Sequence, residues 1–369
     1  MGKGGMEMYE QYLQEWQPVE ENYVSPWGSD GSGHRMVEPK RGYPISEREN
    51  FELVLNGKKP VYMPFITDML AFSPRIIPDN FVRAWVLEID PLLPGSPCDG
   101  GPDMFGVEWQ YVPVTSGSMV KPGQPKIKDV TRWEEYLTFP DLDSFDWEGS
   151  ARANAPLFHP DRMTRIWLMN GLNERLISFM DFAPAMMAYV DEEQKPGVHR
   201  LFDRLCDFYD DLIERFRHYY QADVLMFNDD WGTQNGPQFS LDTAREMLVP
   251  YMQRIADSCH RRGMYFELHS CGKNDKLVPA IIESNVDIWL PQENINDFDL
   301  LYDLCGDKLL LGIPTDSTPE MTDEEALASA KRFMEKYGKD GHVVVNTTFP
   351  PQHPRVPEYL YCLSREAYK

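Results

Sequence analysis

From residue 164 to the C terminus, short apolar runs that end in a polar or glycine-containing turn alternate with amphipathic stretches. Residues 164–169, 223–227, 265–270, 286–290, 308–313 and 343–346 have the length and β-branched or aromatic content of strands. Between them, Leu201, Leu205, Phe208, Leu212, Phe216 and Tyr219 repeat at helical spacing. A helix is expected over residues 241–262, kinked at Pro250. Shorter helices are expected near residues 276–284 and 298–304, and Thr322 with Glu325 forms a capping box for one reaching residue 337. Strands that alternate with helices must lie parallel, because each crossover returns the chain to the same edge. A chain of 369 residues is then expected to form a (β/α)8 TIM barrel, with a doubly wound sheet as the alternative.

The N-terminal half is less regular. Residues 1–45 are polar and rich in Glu, Gly and Tyr, and read as an N-terminal extension with one short helix over 8–16. Ser46 and Glu49 form a capping box that opens the barrel region, 46–369, and residues 61–66 suit its first strand. Glycine and proline recur through 91–125, where only 104–114 reads as extended; a long loop of this kind usually covers a core or carries function.

In both folds chemistry gathers beyond the carboxyl ends of the strands. The polar residues of this chain gather there: Asn170, Asp229, Asp230, His269, Cys271, Gln292, Glu293, Asp316 and His353. On the strand at 265–270, Glu267, His269 and Cys271 share one face. An imidazole and a thiolate two residues apart can grip zinc; the pair alone is equally compatible with a core strand carrying an incidental His and Cys. Zinc needs three or four ligands. Glu293, just past the next strand, and His353, after the last one, are the expected partners, and Glu267 is either a further ligand or the group that orients His269. Asp229 and Asp230 are candidates for binding substrate or for general acid catalysis, although Asp before Trp-Gly is also an ordinary turn former. His34, His159, His199, His218, His260 and His342 read as surface or structural, and Cys98, Cys206, Cys259 and Cys305 as core or helix residues.

Charge narrows the partners. The net charge is −23, so the field repels nucleic acid and acidic membranes and leaves a small substrate or a partner protein. Six cysteines without paired spacing, and a polar rather than apolar start, fit a reducing cytoplasm. No apolar run approaches the ~18 residues of a membrane span.

From about residue 45 onward the chain resembles the uroporphyrinogen decarboxylase superfamily of (β/α)8 barrels. The motifs that carry the likeness are Asp103-Met-Phe-Gly-Val-Glu-Trp109, Phe139-Pro-Asp-Leu-Asp143, Asn228-Asp-Asp-Trp-Gly-Thr-Gln234 and His269-Ser-Cys-Gly272. The last resembles the zinc site of the cobalamin-dependent methyltransferases of that superfamily, and of the more distant cobalamin-independent methionine synthase. The resemblance implies a corrinoid protein as partner, a small methylated substrate and a homodimer. It also implies Glu293 as the third ligand and a Cys after the final strand as the fourth. Thr347-Thr-Phe-Pro-Pro supplies no Cys, so His353, Cys362, Glu267 or the substrate is left to complete the set. The motif rich in arginine that holds porphyrinogen propionates is absent, and Arg75 alone does not replace it.

The expected activity is zinc-dependent transfer of a methyl group from a methoxylated (O-methyl) substrate to a corrinoid protein, an O-demethylase component. The alternatives are methyl transfer from methylcobalamin to a thiol, a cofactor-free decarboxylase relying on aspartates, and a binding protein with a structural zinc.

Overall fold

The computed structural model of the chain describes residues 9–29, 35–92, 100–113, 117–347 and 351–369. Helix α1 (Glu10–Glu15) leads into an antiparallel hairpin of β1 (Pro18–Ser29) and β2 (Arg35–Arg41). Helix α2 (Glu47–Leu55) starts at the Ser46 capping box, where the Ser46 side chain and Glu49 satisfy each other's backbone N–H groups. Strand β3 (Leu70–Phe72) and the short helix α3 (Pro78–Val82) precede a meander of β4 (Gly101–Pro102), β5 (Glu108–Val112) and β6 (Gly117–Val120). After α4 (Trp147–Asn154) the regular units begin: β7 (Thr164–Leu168), α5 (Leu172–Met180), α6 (Phe182–Ala188), α7 (Lys195–Tyr220) and β8 (Val224–Asn228). A two-stranded ribbon of β9 (Gly232–Thr233) and β10 (Gly236–Pro237) follows, then α8 (Leu241–Met247) and α9 (Val249–Arg261). The chain ends with β11 (Tyr265–Ser270), α10 (Val278–Glu283), β12 (Ile288–Pro291), α11 (Phe298–Cys305), β13 (Leu310–Pro314), α12 (Asp323–Lys336), β14 (Val343–Asn346) and α13 (Val356–Ala367).

The core is a curled, wholly parallel sheet in the order β14-β13-β12-β11-β8-β7-β3, the architecture of a TIM barrel. It has seven strands among the described residues, where the barrel class leads one to expect eight. The difference lies at residues 61–66, the expected first strand. Only Phe65 pairs there, through one parallel bridge to Val345, supported by the Val345 N–H on the Pro64 carbonyl at 2.9 Å. The chain then makes a single 3-10 turn over Ile66–Asp68 and enters β3, which pairs with β7 on the other side. One segment therefore touches both edges of the sheet without a crossover helix between them.

Inside the ring, α2 closes the end where the strands begin. Phe51 and Val54 pack against Val224, Ile288, Leu310 and Val344, which stand at or near the starts of their strands. Above this layer Arg165 Nε donates to Glu267 at 2.6 Å and Nη2 completes the fork. Glu267 is fully buried, so this ion pair sits in the apolar interior. Burial of both faces makes β8 read as a continuous apolar run up to Asn228, and β7 likewise from Ile166 onward, rather than as alternating strands.

The N-terminal extension is more than a strap with a helix. Its hairpin lies against the barrel beside the 66–69 crossing: Tyr23 donates to Glu47 at 2.8 Å, Arg162 to Glu38 at 2.7 Å, and Trp27 packs against the buried cluster of Leu87, Trp167, Met169 and Met226. The expected kink at Pro250 is realised as a break at Leu248, which leaves Pro250 in the first turn of α9 where its missing N–H costs nothing. Cys206, Cys259, Cys305 and Cys362 are buried, whereas Cys98 and His34 fall outside the described residues. No described helix is long and apolar enough to cross a membrane.

Removing one partner of a buried ion pair strands the other charge, a loss of about 3–5 kcal/mol. Urea unfolding of Arg165→Met is expected to show a loss of that size, and the double variant Arg165→Met/Glu267→Leu should recover most of it.

Candidate metal and active site

Two loops meet at the mouth of the barrel through their backbones. Gly272 follows β11 with φ +93, and a Cβ there would stand 2.1 Å from the Gly232 carbonyl carbon in the loop after β8. Only glycine allows both the left-handed turn and this approach. The contact brings Asp230 beside the end of β11, where its Oδ1 accepts the Cys271 N–H at 2.7 Å. Gln292, after β12, accepts the Gly272 N–H at 2.9 Å, and Asn296 donates to the Gly272 carbonyl at 3.0 Å. The loop is clamped from both sides.

Within it, Cys271 Sγ lies 3.5 Å from His269 Nε2. One ligand atom from each of Asp230, His269 and Cys271 falls within 4.8 Å of the others, and all three side chains are partly exposed. A tetrahedral zinc with its usual bonds to sulfur and nitrogen separates those two atoms by about 3.6 Å. The soft–borderline–hard donor set and its spacing therefore fit zinc, with three protein ligands and room for a fourth.

The expected ligand set is brought together only in part. Glu293 is not in the group; its Oε1 accepts from Asn346 Nδ2 at 2.6 Å, across the mouth toward β14. His353 lies elsewhere: its Nδ1 accepts the Arg355 N–H at 3.3 Å and its Nε2 faces Asp323 at 3.7 Å, so it caps the approach to α13. Cys362 is buried within α13 among Tyr12, Tyr62 and Tyr361. Glu267 is committed to Arg165 rather than to His269. Asp316 pairs with Arg332 at 2.7 Å on the outer side. The third position is taken by Asp230, expected as a substrate or acid residue.

Asp229 has a different task. It is fully buried, and its carboxylate accepts the N–H groups of Asn173 (3.2 Å) and Glu174 (2.9 Å) and the Trp231 indole (2.8 Å). It thus holds the start of α5, whose first turn would otherwise leave those donors unpaired. Burial lifts its pKa to about 6, opposed by those three donors and aided by Asp230.

Two residues not singled out from the sequence belong to the mouth. Glu174, in the first turn of α5, accepts from Asn228 Nδ2 at 2.6 Å and from Arg83 Nη1 at 3.0 Å. Burial, with Asp230 and Asp229 nearby, pushes its carboxyl up to about 8 against the pull of Arg83. Burial, then the Asp230 carboxylate and Glu174, likewise hold the Cys271 thiol well above its ordinary range. Acidic groups thus outnumber the one guanidinium here, a field that a divalent cation would balance. The four-residue step from Asn170 to an acid opening a helix was the available signal for Glu174; Arg83 stands in an aperiodic segment that offered none.

A family profile described as Uroporphyrinogen decarboxylase (URO-D) matches residues 179–354, which supports placement in that superfamily. Among solved structures the chain is similar to a methyltransferase from Methanosarcina mazei, with 13% identity, a TM-score of 0.56, and coverage of 88% of this chain and 99% of that one. A dihydropteroate synthase from Xanthomonas albilineans is similar at 12% identity and a TM-score of 0.26, covering 43% and 56% of the two chains, too low to carry weight. At such identities the first likeness shows the fold alone. No curated protein matches the chain.

Two outcomes test this geometry. Gly272→Ala is expected to push the two loops apart and abolish zinc retention in a dialysis assay, while the far-ultraviolet spectrum stays that of a barrel. The second concerns pH. A carboxyl whose pKa rises from 4.5 to about 8 on folding binds its proton more tightly in the native state, so stability falls as pH climbs between those values. In chelator-treated protein, Glu174→Gln should flatten the decline in denaturation midpoint between pH 5 and 8; an unchanged slope would remove Glu174 from this account.

Proposed function

We propose that the chain is a zinc-dependent methyltransferase that passes a methyl group from a small methoxylated substrate to a corrinoid protein. The observation that carries this is the His269–Cys271–Asp230 group, with Sγ and Nε2 3.5 Å apart at the C-terminal face of the barrel. Three protein ligands with an open position are the arrangement of catalytic rather than structural zinc. The URO-D profile and the fold shared with the Methanosarcina mazei methyltransferase agree with the assignment.

His269, Cys271 and Asp230 would hold the ion. Bound there, zinc would supply Lewis acidity toward an ether oxygen, easing departure of the methyl group to the corrinoid acceptor. Gln292 and Asn296 fix the loop that carries Cys271, and Asp229 fixes the start of α5 and with it Glu174. Burial first, and its acidic neighbours in the metal-free site, raise the Glu174 carboxyl to about 8, which favours its protonated form. A carboxyl in that state can give its proton to the oxygen left on the demethylated product. Asp229 is less suited to that task, since three N–H donors crowd its two oxygens whereas each Glu174 oxygen accepts one. The same occupancy weakens a cofactor-free decarboxylase that relies on both aspartates.

Transfer from methylcobalamin to a thiol is the second possibility. Among the described residues a single cysteine stands at the mouth, and a carboxylate rather than a second thiolate completes the group. A harder donor set leaves the metal more electrophilic, which suits an ether oxygen better than activation of a thiolate nucleophile.

Elemental analysis of purified protein is expected to give about one zinc per chain, falling at least tenfold in His269→Ala and Cys271→Ala while Glu293→Gln and His353→Ala retain it. Metal-free wild-type protein from zinc-replete medium would overturn the proposal.

A further inference from the structure

Arg83 follows α3 at the mouth, and its guanidinium is held rigidly. Nη1 donates to Asn170 Oδ1 at 2.8 Å and to Glu174 Oε1 at 3.0 Å. The group stacks 4.8 Å from the centre of the Trp109 ring, and that ring is pinned by its own indole N–H on Asp103 at 3.0 Å. The next residue, Ala84, is fully buried and adopts φ +59, a left-handed backbone that a residue with a Cβ rarely takes. Strain of this kind persists where the surroundings over-determine a side chain's position.

What remains unused is specific. Nε and Nη2, the two parallel donors along one edge of the guanidinium, have no protein acceptor among the described residues, and neither is a buried orphan. Elsewhere in this chain the same edge is filled by a carboxylate: Arg165 by Glu267, Arg245 by Glu283 and Arg332 by Asp316. Arg83 stands close enough to Asp230 and Cys271 for their charge to stabilise its guanidinium. The acids whose charge acts on it are already engaged, Glu174 by Asn228 and by Nη1 itself, and Asp230 by the Cys271 N–H.

We infer that the Nε–Nη2 edge of Arg83 binds a planar carboxylate on the substrate, so that the methyl donor is an anionic methoxy acid. The inference rests on the methyltransferase proposal for the substrate's methoxy group, but the carboxylate subsite stands on Arg83 alone. A planar anion matches the fork in two parallel charge-assisted bonds, whereas a neutral amide offers one acceptor and a repelling N–H2. The fixed plane of Arg83, set by Trp109 on its face and by Asn170 and Glu174 on Nη1, means little side-chain entropy is lost on binding.

Calorimetric titration of the full-length protein with matched pairs tests this: methoxyacetate against methoxyacetamide, and 4-methoxybenzoate against 4-methoxybenzamide. The acid of at least one pair is expected to bind tenfold or more tightly than its amide. Arg83→Gln should bring acid and amide within twofold. Arg83→Lys keeps the charge toward Glu174 without the fork, and should retain the wild-type melting temperature while losing most of the preference. An acid bound directly to metal would keep its preference in Arg83→Gln, and that result overturns the inference, as does equal binding of both members or no binding of either acid. Zinc measured on the same samples separates the two proposals. A preference that depends on Arg83 in metal-free protein leaves this subsite standing and removes the methyltransferase assignment, and zinc-loaded protein without the preference does the reverse.

Discussion

The approach of Gly232 to Gly272 is the contact on which the mouth of this barrel depends. Neighbouring parallel strands stand about 4.8 Å apart, and loops leaving them ordinarily diverge to make room for side chains. Here neither loop has a side chain at the meeting point, so the backbones touch and the flanking residues are drawn together. The Cys271 N–H reaches the Asp230 carboxylate, and the Cys271 thiol comes to lie over His269. Ser270 and Asn274 complete the junction: the Ser270 hydroxyl accepts the Trp231 N–H at 3.0 Å, and Asn274 donates to that hydroxyl at the same distance. Asn274 Nδ2 also donates to the Cys271 carbonyl at 3.0 Å, so one side chain ties the strand end to the turn that follows it.

This explains why the group of candidate donors departs from one deduced strand by strand. Register along β11 places Glu267, His269 and Cys271 on one face, and that much needs only the period of a strand. Which neighbouring loop delivers the next donor depends on how loops bend after the strands end, and no periodicity governs that. Glu293 stands one strand over, as expected, but leans away toward Asn346 at the end of β14. Asp230, equally one strand over on the opposite side, is pulled in by a glycine pair that a linear sequence shows only as two unrelated glycines. Asp229 and Asp230 illustrate the limit further: adjacent, chemically identical, and turned to opposite tasks, because one meets the open N-terminus of α5 and the other meets the Cys271 loop.

The fold was more legible than the site, for a physical reason. Strands buried on both faces and amphipathic crossovers write their period into the sequence over many residues, and the units from β7 onward follow that pattern closely. The N-terminal region does not. Tyr23, Ser25 and Trp27 alternate toward the barrel, a strand signal, but it is diluted because Glu38 pairs with Tyr23 on that face while Val24 and the exposed Val37 pair on the other. The direct passage from Phe65 through a 3-10 turn into β3 is likewise invisible to a rule that expects a helix between parallel strands.

Charge gives the mouth its internal logic. The protein carries a net −23, and its own acids crowd the place where a substrate must bind. Asp229 is neutralised locally by backbone and indole donors, and Glu174 is held protonated by burial despite Arg83 alongside it. That leaves the Asp230–Cys271 pair and the open edge of Arg83 as the groups with unspent charge, one negative and one positive, each anchored on a different strand's loop. On the proposed function, a dication at the first would displace the Cys271 proton, and an anion at the second would offset the Arg83 charge that then remains. Each then favours the other across the mouth: the cation draws the anion in, and the bound anion offsets the cation's excess. Such coupling is reciprocal by thermodynamic necessity. On the proposed function, a substrate with both an ether oxygen for the metal and a carboxylate for the fork would engage both halves at once, and holding the molecule at two points rather than one would orient its methyl group.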